Sequence, residues 1–175
     1  MKNPLKRLFC ERALSKVKNG DMSGIAMLYE AMGSQMYTLA ISILGNREDA
    51  EDVLQETLLK IQQRISDYDK SKNGYSWVLT MTHNISVDFF RKRKKVVDIE
   101  VLSDTEELSV TYPVDDKLIV EDALNKLDRT DREIIVLKIF ASLKYKEISH
   151  LTGLSVDAVE KRYQRSLKKL KEYLS

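Results

Sequence analysis

Asp49, Glu51 and Asp52 place three carboxylates within four residues, and Asp49 and Asp52 share one side of a helix at i, i+3. Carboxylates so placed could hold a divalent cation for phosphodiester hydrolysis, the chemistry of a metal-dependent nuclease. No histidine accompanies them. The two histidines, His83 and His150, stand far apart without ligand spacing, so solvated acids on a helix face are the simpler reading, and no metal or cofactor is expected. Cys10 is the single cysteine; it excludes an internal disulfide, and it lies near a start expected to be flexible. The cations carry a stronger signal. Arg91, Lys92, Arg93, Lys94 and Lys95 are consecutive, and Lys161, Arg162, Arg165, Lys168, Lys169 and Lys171 gather near the other end. Between them, Val96 to Asp116 holds seven acids and no Lys or Arg. Two basic regions on an acidic tether fit a chain that binds a polyanion, a distribution that the net charge of +2 conceals.

The elements that must position these groups are helical. Hydrophobic residues make up 43% of the 175-residue chain and charged residues 32%, enough apolar material for real cores and for one compact domain or two small ones. Only six Gly and two Pro interrupt an abundance of helix formers. Apolar spacing predicts helices over Ser23–Leu44, Arg47–Ser66 and Tyr75–Lys95, with Gly45-Asn46 and the polar stretch Asp67–Gly74 between them. The acidic segment, which contains Pro113, reads as a linker. Further helices are expected over Lys117–Leu127, Thr130–Phe140, Lys144–Leu151 and Val156–Tyr173. The basic start, Met1 to Arg12, precedes no apolar signal core, and no run reaches the ~20 apolar residues of a membrane span. A cytoplasmic protein without direct membrane insertion is expected.

Tyr145 to Val159 carries the sharpest local pattern. A short helix ends at Gly153, which can take the left-handed conformation of a tight turn, and Ser155 can cap the helix that follows. Ile148, Leu151, Leu154 and Val159 can form a core beneath, with small Ser149 allowing close approach; Thr152 is less comfortable there. This is the layout of a helix-turn-helix, whose second helix enters a major groove. Val159, Tyr163, Ser166, Leu167 and Leu170 share that helix's inner face, while Asp157, Glu160, Lys161, Gln164, Arg165 and Lys168 face outward and Arg162 borders the two. An ordinary helical hairpin with a solvated charged face would look the same.

In the first half, Ala50, Val53, Leu54, Thr57, Leu58, Ile61 and Ile65 face inward, leaving Asp52, Gln55, Glu56, Leu59 and Gln63 outside. An exposed Leu amid acids and amides suits a protein-binding face, although a single exposed Leu is also commonplace. On the next helix Trp77, Val78, Met81, Ile85 and Phe89 make an apolar stripe beside Asn84, Asp88, Arg91 and Lys95. The pair of stripes could hold single-stranded DNA by charge and stacking. Equally, Trp77 and Phe89 could be core, and Asp88–Arg91 an intrahelical pair.

Taken in order, Glu48 to Glu56, Trp77 to Met81, Asn84, Asp88 and Arg91 resemble region 2 of bacterial RNA polymerase sigma factors. Leu124 to Leu127, Arg132 to Leu137, Glu147-Ile148 and Val159 to Ser166 resemble their region 4. Two domains, a short linker and no intervening region 3 resemble the extracytoplasmic-function group of the sigma-70 family, over nearly the whole chain after about Asp21. The resemblance implies an all-α protein with a region 2 helical bundle over 1–95, a flexible acidic linker over 96–116 and a region 4 helix-turn-helix domain over 117–175. It implies a sigma factor that directs core RNA polymerase to promoter DNA, not an enzyme, with no small-molecule substrate. Asp49, Asp52, Gln55, Glu56 and Leu59 would meet the β′ clamp helices, the β flap being the second polymerase contact. Lys72, Asn73, Trp77, Asn84, Asp88, Arg91, Lys92 and Arg93 would bind and open the −10 element, with the loop Asp67–Gly74 around an extruded base. Ser155, Asp157, Lys161, Arg162, Gln164 and Arg165 would read the −35 element. The family often has a membrane-anchored anti-sigma protein that clamps both domains. Leu58, Thr82, Ala158 and Glu160 depart from common family residues, the last two leaving the −35 sequence preference open.

The rival is a stand-alone helix-turn-helix transcriptional regulator with an unrelated sensing domain. It explains the second half of the chain but not the arrangement from Trp77 to Arg93.

Overall fold

The computed structural model of the protein describes residues 4–100, with side chains through 96, and 122–174. Most of the expected linker Val96–Asp116, and the start of the helix expected at Lys117, lie outside the described residues. All regular structure among the described residues is helical.

The first unit is a four-helix bundle of α1 (Pro4–Lys18), α2 (Ser23–Leu44), α3 (Arg47–Gln63) and α4 (Gly74–Glu100), with a 3₁₀ turn at Ile65–Asp67. Helix α1 corrects the expectation of a flexible start. Cys10, Ala13, Leu14 and Val17 fall at i, i+3, i+4, i+7 and are all buried, so the helix carries a full apolar stripe into the core. Burial pushes the Cys10 thiol pKa well up. Helix α2 lies at the centre, with Leu28, Met32, Met36, Leu39 and Ile43 packed against Leu14, Ile61, Val78 and Leu79 of its neighbours. Gly45, at φ 66°, ends α2, and the side chain of Asn46 caps α3 by accepting from the Asp49 amide at 3.0 Å. Helix α4 runs beyond Lys95 to Glu100, because nothing between Arg91 and Glu100 breaks a helix.

The second unit contains a short helical stretch over residues 122–125, α5 (Arg129–Ile135), a π-helical turn (Val136–Phe140), α6 (Tyr145–Thr152) and α7 (Val156–Leu174). The single helix expected over Thr130–Phe140 changes type midway, with the Ala141 amide donating to the Val136 carbonyl at 3.0 Å. Asp128 caps α5 by accepting from the Asp131 amide. Buried Arg132 donates to the carbonyls of Leu124 and Leu127, each at 3.2 Å, and ties the stretch before α5 to the domain.

The two units pack together. Ile41 and Leu44 of α2 share an apolar cluster with Leu127, Ile135, Val136 and Leu170. The Tyr75 hydroxyl donates to the Ala141 carbonyl at 3.0 Å, and Ser76 Oγ donates to Glu147 at 2.7 Å. His83 Nε2 on α4 stands 2.8 Å from Glu133 Oε1 on α5, and Arg129 lies 4.2 Å over the Phe90 ring. An apolar cleft of about 270 Å³ remains between Thr38 and residues such as Leu124, Ile135 and Phe140.

Candidate nucleic-acid and polymerase interface

Helix α3 sets the first candidate surface. Ala50, Val53, Leu54, Thr57 and Ile61 are buried, which turns Asp52, Gln55, Glu56 and Leu59 to solvent on one face at i, i+3, i+4, i+7. Leu59 is 57% exposed, a large apolar side chain left uncovered among polar neighbours. Asp49, grouped with these residues by sequence, is half-buried and bonded to Arg93 of α4 at 2.8 Å. That contact joins a residue expected at the polymerase face to one expected at the DNA face.

The second surface lies along α4. Asn84, Asp88, Arg91, Lys92 and Arg93 are exposed, whereas Trp77 is half-buried. Trp77 touches Tyr68, ring centroids 5.3 Å apart, and its other neighbours frame a cleft of about 280 Å³ with Asn84, Asp88, Lys60 and Arg64. Lys60 and Arg64 were not singled out from sequence. They stand at the end of α3, where only the return of the chain into α4 brings their charge beside Trp77. One side of Trp77 thus packs inward and one borders the cleft.

Lys72 and Asn73 sit in the loop before α4 and are exposed. Asp69 Oδ1 accepts from the amide and hydroxyl of Ser71, and Asn73 Oδ1 accepts from the Ser76 amide, so both ends of the loop carry side-chain caps. The Asp69 carboxyl pKa is lowered, chiefly by the Ser71 amide. Asn73 Nδ2 also lies 3.4 Å from Glu147 of the second unit.

The third surface is the helix-turn-helix. Gly153, at φ 72°, donates its amide to the Ser149 carbonyl, and Ser149 Oγ donates to the Leu154 carbonyl at 2.7 Å, closing the turn. Ile148 and Val159 are fully buried, with Leu151 and Leu154 packed against them. Thr152 is accommodated because its hydroxyl donates to the Ile148 carbonyl at 2.9 Å. Ser155 Oγ accepts from the Ala158 amide at 3.2 Å, so its hydroxyl caps α7. Asp157, Lys161 and Gln164 point to solvent. Arg162 and Arg165 do something sequence reasoning missed. Their guanidinium groups approach the carboxylate of Asp131, at 2.6 and 3.1 Å, and Asp131 itself is fully buried.

Three of the −10 candidates face the turn of the helix-turn-helix across a polar cleft of about 660 Å³ between the units, and none of the −35 candidates lines it. Asn84, Asp88 and Arg91 form one wall; His150 and the turn through Gly153 form the other. His150 is exposed, while His83 is buried against Glu133. Among the described residues no cluster of His, Cys, Asp or Glu could hold a metal ion, and no helix is long and apolar enough to cross a membrane.

The family model of Sigma-70 region 2 matches residues 28–96, and that of Sigma-70, region 4, matches residues 117–170. The chain is 27% identical over 183 aligned positions to the ECF RNA polymerase sigma factor SigW of Bacillus subtilis (strain 168), covering 95% of this chain and 97% of that protein. It is 30% identical to the RNA polymerase sigma factor SigV of the same organism, over 79% of this chain and 84% of that one. Among solved structures, CnrH in complex with the cytosolic domain of CnrY has a similar fold, with a TM-score of 0.65 at 23% identity over 94% of this chain and 96% of that one. So does the sigma factor RpoE in complex with the anti-sigma factor NepR from Bartonella quintana, with a TM-score of 0.70 at 24% identity over 83% of this chain and 94% of that one.

Proposed function

Because the chain belongs to the extracytoplasmic-function group of the sigma-70 family, we propose that its three surfaces divide promoter recognition among them. The protein binds core RNA polymerase and directs promoter-specific transcription initiation. Within that activity, Asp52, Gln55, Glu56 and Leu59 dock on the polymerase clamp, with Asp49 braced at their edge by Arg93. The α4 face and the cleft beside Trp77 take the unstacked −10 strand, with Lys60 and Arg64 adding charge toward its phosphates. The outer face of α7, led by Lys161 and Gln164, takes the −35 duplex. The protein acts by binding, in the cytoplasm, where polymerase and promoter are found. An anti-sigma protein is the partner class suggested by the complex of the sigma factor RpoE with NepR.

One observation carries this reading: a single chain holds, in order, an exposed polar stripe beside a half-buried Trp and a closed helix-turn-helix. The packed arrangement is then a resting form. The −10 and −35 elements lie about 25 positions apart, roughly 85 Å at about 3.4 Å per base pair. Two units joined through a 2.7 Å hydrogen bond between Ser76 and Glu147 do not span that distance, so engagement separates them. Thr38 favours such an opening, since its hydroxyl is buried beneath the second unit without a hydrogen-bond partner and would regain water.

Run-off transcription with core polymerase and a promoter library tests the proposal. Discrete transcripts that require the protein are expected; their absence from every template would overturn it.

A further inference from the structure

The loop from Tyr68 to Asn73 leaves the first unit's core at one tyrosine and re-enters it at one glycine, and a single carboxylate meets both. Glu11 of α1 accepts a hydrogen bond from the Tyr68 hydroxyl through Oε2 and one from the Gly74 amide through Oε1, the latter at 2.7 Å. Lys18, two turns along the same helix, donates to the Tyr68 carbonyl. Arg7 stacks 5.0 Å over the ring of Tyr75, the residue that follows Gly74. The approach depends on Gly74 lacking a side chain: a Cβ there would lie 2.6 Å from Leu14 Cδ1 and 2.9 Å from Glu11 Oε2. Helix α1 lies wholly outside residues 28–96, the part matched to region 2.

We propose that Glu11 is a positioning residue for base capture, fixing both ends of the loop so that its six residues hold one shape before DNA arrives. Tyr68 also forms part of the wall behind Trp77, so a shift at its hydroxyl is passed to the cleft on α4. A loop fixed in advance loses less conformational freedom on closing around an extruded base, and therefore distinguishes the right base from a wrong one more sharply. The inference rests on the reading that this loop surrounds such a base.

The test uses reconstituted holoenzyme and a fork-junction DNA library randomised across the single-stranded −10 region, with sequencing of the bound fraction. Wild type is expected to enrich particular bases at one or more positions. Glu11→Ala should flatten that preference by about tenfold at the position seated in the loop, the factor that loss of a charge-assisted hydrogen bond carries. Glu11→Gln should restore it, because its amide oxygen can still accept from Gly74 and its nitrogen can donate to the Tyr68 oxygen. Tyr68→Phe, which removes one arm and leaves α1 untouched, should give an intermediate loss even if Glu11→Ala folds poorly. A general loss of stability would lower the amount bound without changing the base ratios. Preserved ratios in Tyr68→Phe and in any folded Glu11→Ala would overturn the role of Glu11 while leaving base capture intact. No base preference in wild type would remove the capture reading itself, and this inference with it.

Discussion

Arg162 crosses from α7 to place its guanidinium 2.6 Å from the carboxylate of Asp131, an acid with no exposed surface at all. Arg165 adds a second contact at 3.1 Å. The helix proposed to carry the −35 face is therefore held to α5 by the same type of residue that would otherwise reach for phosphates. Removing Arg162 leaves the buried Asp131 carboxylate with Arg165 alone, and that remaining contact, with the partial exposure of both arginines, reduces the usual cost to about 2 kcal/mol. Arg162→Ala should lower the midpoint of thermal unfolding by about 5 °C by circular dichroism. Lys161→Ala, one position away but pointing to solvent, should change it by no more than about 1–2 °C.

Acid titration separates the same pair from simple packing. Burial pushes the Asp131 pKa upward, but Arg162 and Arg165 outweigh it and hold the group below its ordinary 3.8. A carboxyl depressed in the folded state adds stability that is complete above its unfolded value and disappears as pH falls through the folded one. Asp131→Asn should thus be less stable than wild type at pH 7, and the two should converge only as pH drops below about 3.8. A constant gap down to the lowest pH would assign the loss to shape instead of charge.

His83 gives the opposite sign. Burial pulls its pKa down, yet the adjoining Glu133 carboxylate outweighs that, with Asn84 helping and Arg129 opposing, and the net shift is upward. Asp88, Arg91 and His150 also face the cleft at its edge. A histidine raised in the packed form favours packing fully below its ordinary 6.5, and that contribution is lost as pH climbs through the raised value. Small-angle scattering of the free protein should show a larger radius of gyration above that point than at pH 6. Glu133→Gln should flatten the dependence; an unchanged profile in that variant would exclude the pair as its origin.

Sequence periodicity located α3, α4 and α7 because each carries one clean apolar face, and α2 through an apolar run buried on all sides from Thr38 to Leu44; Gly45-Asn46 and Gly153 mark helix ends by chemistry that has few alternatives. The stripe of Cys10, Ala13, Leu14 and Val17 is equally present in the sequence, but the cations interspersed with it mask its period. Contacts between distant stretches were not legible. Glu11 is 63 residues from Gly74, and Arg162 is 31 from Asp131, so no local pattern distinguishes these charges from solvated ones. For the same reason the contact of Arg162 and Arg165 with Asp131 was not legible from their spacing on α7. The outward set on α3 was legible, since burial of Ala50, Val53, Thr57 and Ile61 leaves its composition no other place.

That outward set gives a direct binding test. Gln55→Lys combined with Glu56→Lys reverses the local charge without touching a buried position. Helicity should be unchanged, and affinity for core polymerase should fall at least about a hundredfold, as like charges across an interface cost several kcal/mol. Size-exclusion chromatography with core enzyme reads the result directly. Normal assembly of the double variant would place the clamp contact elsewhere.

Lys161 and Gln164 share the outer face of α7, yet their chemistry predicts different failures. A lysine ammonium is a point charge that neutralises phosphate without regard to sequence, so Lys161→Ala should weaken binding to all −35 duplexes alike and reduce the salt slope by about one. A glutamine amide can pair with both edge groups of an adenine, so Gln164→Ala should cost about 1–3 kcal/mol on a preferred duplex and little on a mismatched one. Holoenzyme binding measured across salt, on matched and singly substituted −35 duplexes, resolves the two effects. If both variants lost affinity uniformly, the amide would be making a backbone contact, and sequence reading would pass to the remaining exposed side chains near the start of α7, Ser155 and Asp157.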